Sequence, residues 1–119
     1  MTVAAHRMIR VLLIAAAAYV LLVAMQGRTD KQAGAALAAL AKPGDIVMLS
    51  SETCMHCDQA RRWLTEYGVP FRECFIESDA ACADSYRAQQ SPGTPTLLVR
   101  GERQVGFDPG LVTKALSGG

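Results

Sequence analysis

The chain has 119 residues, half of them hydrophobic, with 19% charged, 6% aromatic and a formal net charge of +1. That length holds one small domain and an appendage, but not two ordinary domains. The apolar fraction excludes a disordered chain, the neutral balance without a basic block excludes an electrostatic nucleic-acid binder, and ten glycines without a repeat period exclude a collagen-like chain.

The first element is apolar. Val11 to Met25 reads VLLIAAAAYVLLVAM, without a charge. Fifteen helical residues cover roughly 22 Å, short of a ~30 Å hydrocarbon core. Extension to residues 8–27 closes the gap, because Arg10 can snorkel to the headgroups. An uncleaved membrane anchor over residues 1–27 is the leading reading. A cleaved signal, with His6, Arg7 and Arg10 as its basic region, is the second. A buried soluble helix is the third. Arg7 and Arg10 precede the span, which favours a single pass of the inner membrane with the C-terminal domain on the periplasmic or extracytoplasmic side.

Gly27 to Asp30 reads as a short polar linker, with Thr29 or Asp30 capping a helix to about Lys42. Leu37 and Leu40 lie at helical spacing, which favours a first core helix over a spacer within residues 28–43. Pro43-Gly44-Asp45 is a turn, and a domain over 44–119 follows. Ile46–Leu49 is a buried strand, 50–53 a loop, and Cys54–Tyr67 a helix with Ala60, Trp63, Leu64 and Tyr67 on one stripe. Gly68 is its C′ residue. Phe71–Ile76 is a second strand. Ser78 or Asp79 caps a helix to about Gln90. Thr96–Val99 is a third strand, Gly101-Glu102 a two-residue hairpin loop, Arg103–Phe107 a fourth strand and Gly110–Leu116 a last helix. The β-α-β unit makes the first two strands parallel, and the hairpin makes the last two antiparallel. The expected fold is α/β: a mixed four-stranded sheet flanked by helices, plus one N-terminal transmembrane helix. Trp63, Phe71, Phe75 and Tyr86 read as packing residues, and Arg61-Arg62 as a solvated face.

Four cysteines in an exported domain point first to disulfides. Cys54-Met-His-Cys57 falls between a buried strand and a helix. A thiol at a helix N-terminus faces unpaired N–H groups and the positive end of the macrodipole, which favour the thiolate. A second cysteine three residues on can attack a mixed disulfide and release its partner. His56 lies inside the loop, where a protonated imidazole would favour the thiolate further. For Cys74 and Cys82 three states stay open: a structural disulfide, two unpaired thiols, or a relay with Cys57.

The run IVMLSSETCMHCDQARRWL followed by GTPTLLVRGERQVGFDP resembles the glutaredoxin branch of the thioredoxin superfamily, over roughly residues 44–117. The resemblance implies a thioredoxin/glutaredoxin-like fold, with the Pro95 peptide bond cis and facing the sulfurs. It implies Cys54 as attacking thiolate and Cys57 as resolving thiol, with Thr53 and His56 in support. Thr94, through its backbone, and Pro95 would bind an extended substrate or glutathione. Phe107 and Asp108, in Gly106-Phe107-Asp108, are further candidates for that contact. The expected partners are protein or glutathione thiols and disulfides, with glutathione a co-substrate, no bound cofactor, no metal and a monomeric chain. Met55-His56 stands where the family commonly has Pro-Tyr, and Glu52 replaces a cation near the motif. A histidine before the second cysteine is similar to the periplasmic disulfide oxidases of the superfamily.

The reading that follows is a membrane-anchored thiol–disulfide oxidoreductase. Two rivals are a metal-binding module using Cys54 and Cys57 with His56 or Cys82 as a further ligand, and a non-catalytic adaptor with an inert Cys54–Cys57 bond.

Overall fold

The computed structural model describes residues 2–118. The chain divides into two compact units, one ending at Gln32 and the other beginning at Ala33.

Residues 3–32 of the first unit lie within α1 (Val3–Leu40). It contains a window long and apolar enough to cross a membrane, and no part of that window is buried. Leu12, Leu13, Ile14, Val20, Leu21 and Leu22 are all exposed. The soluble core-helix reading of this run is therefore not the one found.

The expected break at Gly27–Asp30 is also absent, since α1 runs through it. The Thr29 hydroxyl donates to the Met25 carbonyl one turn back at 3.0 Å, rather than capping a new helix. One glycine in a helix costs only about 1 kcal/mol, too little to end a long one. The helix stops at Leu40, two residues before the expected end. Ala41 N–H makes a last bond to the Leu37 carbonyl at 2.8 Å, and Pro43 cannot continue the ladder.

The second unit contains β1 (Ile46–Ser50), α2 (Met55–Glu66), β2 (Arg72–Phe75), α3 (Ala80–Ala88), β3 (Thr96–Val99), β4 (Glu102–Val105) and α4 (Pro109–Gly118). The sheet order is β2-β1-β3-β4. β1 and β2 are parallel, while β1–β3 and β3–β4 are antiparallel.

Side chains alternate between faces along a strand, so register decides which residues meet. Ile46 pairs with Val99 and Met48 with Leu97. All four are buried and join Leu37 of α1, Ala60 and Leu64 of α2, and Val112 and Leu116 of α4 in one core. Leu37 is fully buried, which makes the end of α1 the first core helix of this unit. Gly34, one turn earlier, lies against Tyr67 so closely that a Cβ there would overlap the ring. Cys74 projects to the sheet face opposite its neighbour Glu73, and there it is bonded to Cys82 of α3.

Helix ends follow local chemistry. α2 ends in a Schellman pair: Val69 N–H to Leu64 carbonyl at 2.9 Å, and Gly68 N–H to Thr65 carbonyl at 3.2 Å. Gly68 has φ +65°, as that turn requires. Asp79 caps α3 by accepting from Cys82 N–H at 3.1 Å. Trp63, Phe71, Phe75 and Tyr86 are half-buried.

The hairpin loop is one residue earlier than expected. Val99 pairs with Glu102, so the loop is Arg100-Gly101, at φ +48° and +85°. Positive φ at both positions defines a type I′ turn, not the Gly-first type expected from the sequence. Arg100 is held there by contacts. Its N–H donates to the Asp45 carbonyl at 2.7 Å, and its guanidinium donates to the Leu116 carbonyl at 2.9 Å and to the Asp45 carboxylate at 3.2 Å.

Candidate active site

The site forms where β1 ends and α2 begins. Ser51–Cys54 is a turn closed by Cys54 N–H on the Ser51 carbonyl at 3.2 Å. Cys54 is the N-cap of α2, in extended conformation at φ −97°, ψ 107°. The Cys57 N–H donates to the Cys54 sulfur at 3.0 Å. The two cysteines are bonded, with Cα atoms 5.2 Å apart. They differ in access: Cys57 is fully buried, whereas Cys54 is half-exposed. Cys54 is therefore the more accessible of the two sulfurs.

Across the site, the Thr94–Pro95 bond is cis. The Cys54 sulfur lies 3.4 Å from the Thr94 carbonyl oxygen. Pro95 and Thr96 are buried. Gly106 N–H donates to the Pro95 carbonyl at 2.8 Å, which ties the end of β4 to this loop. The Ser91 and Thr96 hydroxyls lie within hydrogen-bond reach of each other and of the Gly93 carbonyl, so one donates to that carbonyl and the other donates to its neighbour or to the same carbonyl. The loop before the cis bond is thereby held by its own side chains.

The remaining candidates fall in several places. Thr53 is exposed in the turn, and its N–H donates to the Ser51 hydroxyl at 3.4 Å. Met55 and His56 are exposed on the first turn of α2. Phe107 packs on Trp63, with ring centroids 5.3 Å apart, against the core. The Asp108 carboxylate caps α4, accepting from Gly110 N–H at 2.8 Å and Leu111 N–H at 3.2 Å. Both side chains thus have structural partners. Cys74 and Cys82 are bonded to each other, with Cα atoms 5.9 Å apart, so Cys82 does not approach Cys57 as a free relay thiol.

Two groups beside the site were not legible in the sequence. Arg61, expected on a solvated face, is half-buried. Its guanidinium grips Glu73 of β2 through two bonds, at 2.6 and 2.8 Å, and Asp58 at 2.7 Å, and it lies 5.6 Å from the Phe75 ring centroid. Glu73, and then Asp58, hold the Arg61 cation further from deprotonation than usual. Ser50, fully buried, donates its hydroxyl to the same Glu73 carboxylate at 2.7 Å. The second group is Glu77, which accepts from the Ser51 hydroxyl and, at 3.2 Å, from Glu52 N–H. The Ser51 hydroxyl, with backbone N–H groups, holds the Glu77 carboxyl below the usual carboxylate range. No local motif marks the Arg61–Glu73 and Ser51–Glu77 pairs, which join residues 12 and 26 positions apart.

A mixed four-stranded sheet flanked by helices, with a C-x-x-C at the start of a helix, defines a thioredoxin-like fold. Solved structures of that class are similar to this chain. The thioredoxin-like protein BC3987 is 25% identical, with a TM-score of 0.52 over 60% of this chain and 99% of that one. Methanoredoxin from Methanosarcina acetivorans is 23% identical, with a TM-score of 0.52 over 67% and 92%. The glutaredoxin from Methanosarcina mazei Go1 is 22% identical, with a TM-score of 0.51 over 62% and 79%. No curated protein matches the chain. Residues 46–104 match the glutaredoxin family model. Family, fold and the Cys54–Cys57 pair together support a thiol-redox role.

Proposed function

We propose that this protein is a membrane-anchored thiol–disulfide oxidoreductase, exchanging disulfides through Cys54-Met-His-Cys57 on the extracytoplasmic side of the inner membrane. The observation that carries the reading is the setting of Cys54. It is the half-exposed N-cap of α2, its sulfur takes the Cys57 N–H at 3.0 Å, and it is bonded to a fully buried Cys57. A hydrogen bond to sulfur at the positive end of a helix favours thiolate over thiol.

In the reducing direction, the Cys54 thiolate attacks one sulfur of a partner disulfide. A Cys54–partner mixed disulfide forms, and the other partner sulfur leaves as a thiolate. Cys57 loses its proton, and its sulfur attacks Cys54. The Cys54–Cys57 bond forms and the second partner thiolate leaves. Two electrons pass from the Cys54/Cys57 dithiol to the partner disulfide. The reverse sequence oxidises a partner dithiol.

His56 serves as the tuning group inside the motif, where a protonated imidazole would favour the thiolate. Thr53 supports the turn, and Thr94 and Pro95 present backbone to an extended substrate. Substrates are protein or glutathione thiols and disulfides. The apolar window of α1 supports the anchor, and Arg7 and Arg10 before it support a cytoplasmic N-terminus. The experiment is partner trapping in the intact chain. A Cys57→Ala variant is expected to accumulate mixed disulfides through Cys54 that a thiol reductant releases. Absence of adducts that depend on Cys54 would contradict the exchange mechanism.

A further inference from the structure

The second disulfide and the active-site turn meet at one side chain. Cys74 lies on β2 and Cys82 on α3, and the bond between them encloses residues 75–81. Within that loop, Ser78 N–H and Asp79 N–H both donate to the Phe75 carbonyl, at 3.3 and 3.0 Å. Ile76 N–H donates to the Ser50 carbonyl at 2.9 Å, extending the β1–β2 ladder by one step. Asp79 caps α3 on the N–H of Cys82 itself. The loop is thus pinned to β1 at one end and closed onto β2 by the disulfide at the other.

Glu77 sits in this loop and uses both carboxylate oxygens on the neighbouring turn. Oε1 takes the Ser51 hydroxyl and Oε2 the Glu52 N–H. The same Ser51 hydroxyl oxygen accepts from Thr53 N–H, and the Ser51 carbonyl accepts from Cys54 N–H. Every residue of the turn that delivers Cys54 to α2 is therefore linked to Ser51 or to Glu77.

We infer that Glu77 is a positioning residue for the Cys54 thiol, braced by the Cys74–Cys82 disulfide, an assignment that rests on the thiol–disulfide reading above. It fixes the Ser51–Cys54 turn, and with it the alignment of the Cys54 sulfur to the Cys57 N–H. Its charge acts the other way, because a carboxylate near a thiolate disfavours it. The two effects have opposite signs, so an experiment separates them.

The test uses the full chain in detergent micelles with Cys57→Ala, which leaves Cys54 a free thiol and the Cys74–Cys82 bond intact. The readout is the rate of Cys54 alkylation by iodoacetamide as a function of pH. Glu77→Ala is expected to raise the Cys54 pKa and slow alkylation at about pH 6 by about threefold, since only the thiolate reacts. Glu77→Gln removes the charge but keeps an acceptor for the Ser51 hydroxyl, so its Cys54 pKa is expected to lie below that of Glu77→Ala. Replacing both Cys74 and Cys82 by serine is expected to act in the same direction, and adding Glu77→Ala to that variant to contribute little more. An unchanged or lowered Cys54 pKa in Glu77→Ala, or full additivity with the serine pair, would overturn the assignment alone. A Cys54 that titrates like an ordinary thiol, near ~8.5, before Glu77 is changed would overturn the thiol-redox reading and this assignment with it.

Discussion

The backbone N–H of Cys57 points at the Cys54 sulfur from 3.0 Å, which makes the second cysteine of the motif a stabiliser of the first. The amide belongs to the backbone, so it persists when the Cys57 side chain is changed. Cys54→Ser is expected to reduce exchange to the uncatalysed background in a disulfide reduction assay. Cys57→Ala is expected to retain fast Cys54 alkylation while losing turnover. Equal loss of Cys54 reactivity in both variants would contradict this division of labour.

Gly34 is expected to tolerate no added side chain. A Cβ at this position overlaps the Tyr67 ring, which itself lies 4.7 Å from the Trp63 ring centroid. Overpacking of a filled site costs about 1–3 kcal/mol. Gly34→Ala should lower the denaturant midpoint accordingly, whereas Gly27→Ala, with open space around it, should not.

The Arg61–Glu73 pair joins the active-site helix to the edge strand. Glu73 is mostly shielded, and its carboxylate also takes the Ser50 hydroxyl. Glu73→Ala leaves Ser50 without that acceptor, and the expected loss is about 1–3 kcal/mol. A double-mutant cycle with Arg61→Ala should show a coupling of about 1 kcal/mol, because Arg61 keeps Asp58 when Glu73 is gone. Denaturant titration of the four proteins measures both quantities.

Acid should destabilise the second unit through Asp45. The Lys42 N–H, and then the Arg100 guanidinium, hold the Asp45 carboxyl below the usual carboxylate range. The folded state therefore releases this proton more readily than the unfolded chain. The stabilisation is complete above the unfolded value of about 4 and disappears as pH falls through the lower folded value. Glu77 carries the same sign. Thermal melts of the parent chain should lose stability below about pH 4, and Asp45→Asn should flatten that part of the profile.

Much of this architecture was legible in the residues. β3 is found where Thr96–Val99 reads as a buried run, and β1 extends the expected strand only by Ser50. Both are continuous apolar segments between turn residues, the pattern that a buried strand requires. The C-x-x-C also announces its own setting, since strand, cysteine and helix are contiguous. Other features depend on partners far away in the chain. Arg100 adopts positive φ because Asp45 and Leu116 hold it, and no local rule placed the loop there. Arg61 looked solvated because Glu73 lies twelve positions downstream on another element. Gly27–Asp30 looked like a linker because its residues are polar, yet polar residues end a helix only where the backbone finds other partners. Glu77 had no signal of its own; only the fold sets it against Ser51.

The most direct measurement is a redox titration of the intact chain. The protein would be equilibrated across glutathione buffers, and each cysteine scored by differential alkylation and mass spectrometry. Cys54 and Cys57 are expected to titrate together with one midpoint between roughly −270 and −120 mV, the span of exchange-active pairs. A Cys54–Cys57 bond that stays formed, or a pair that stays reduced, across the whole buffer range would contradict a role in thiol–disulfide exchange.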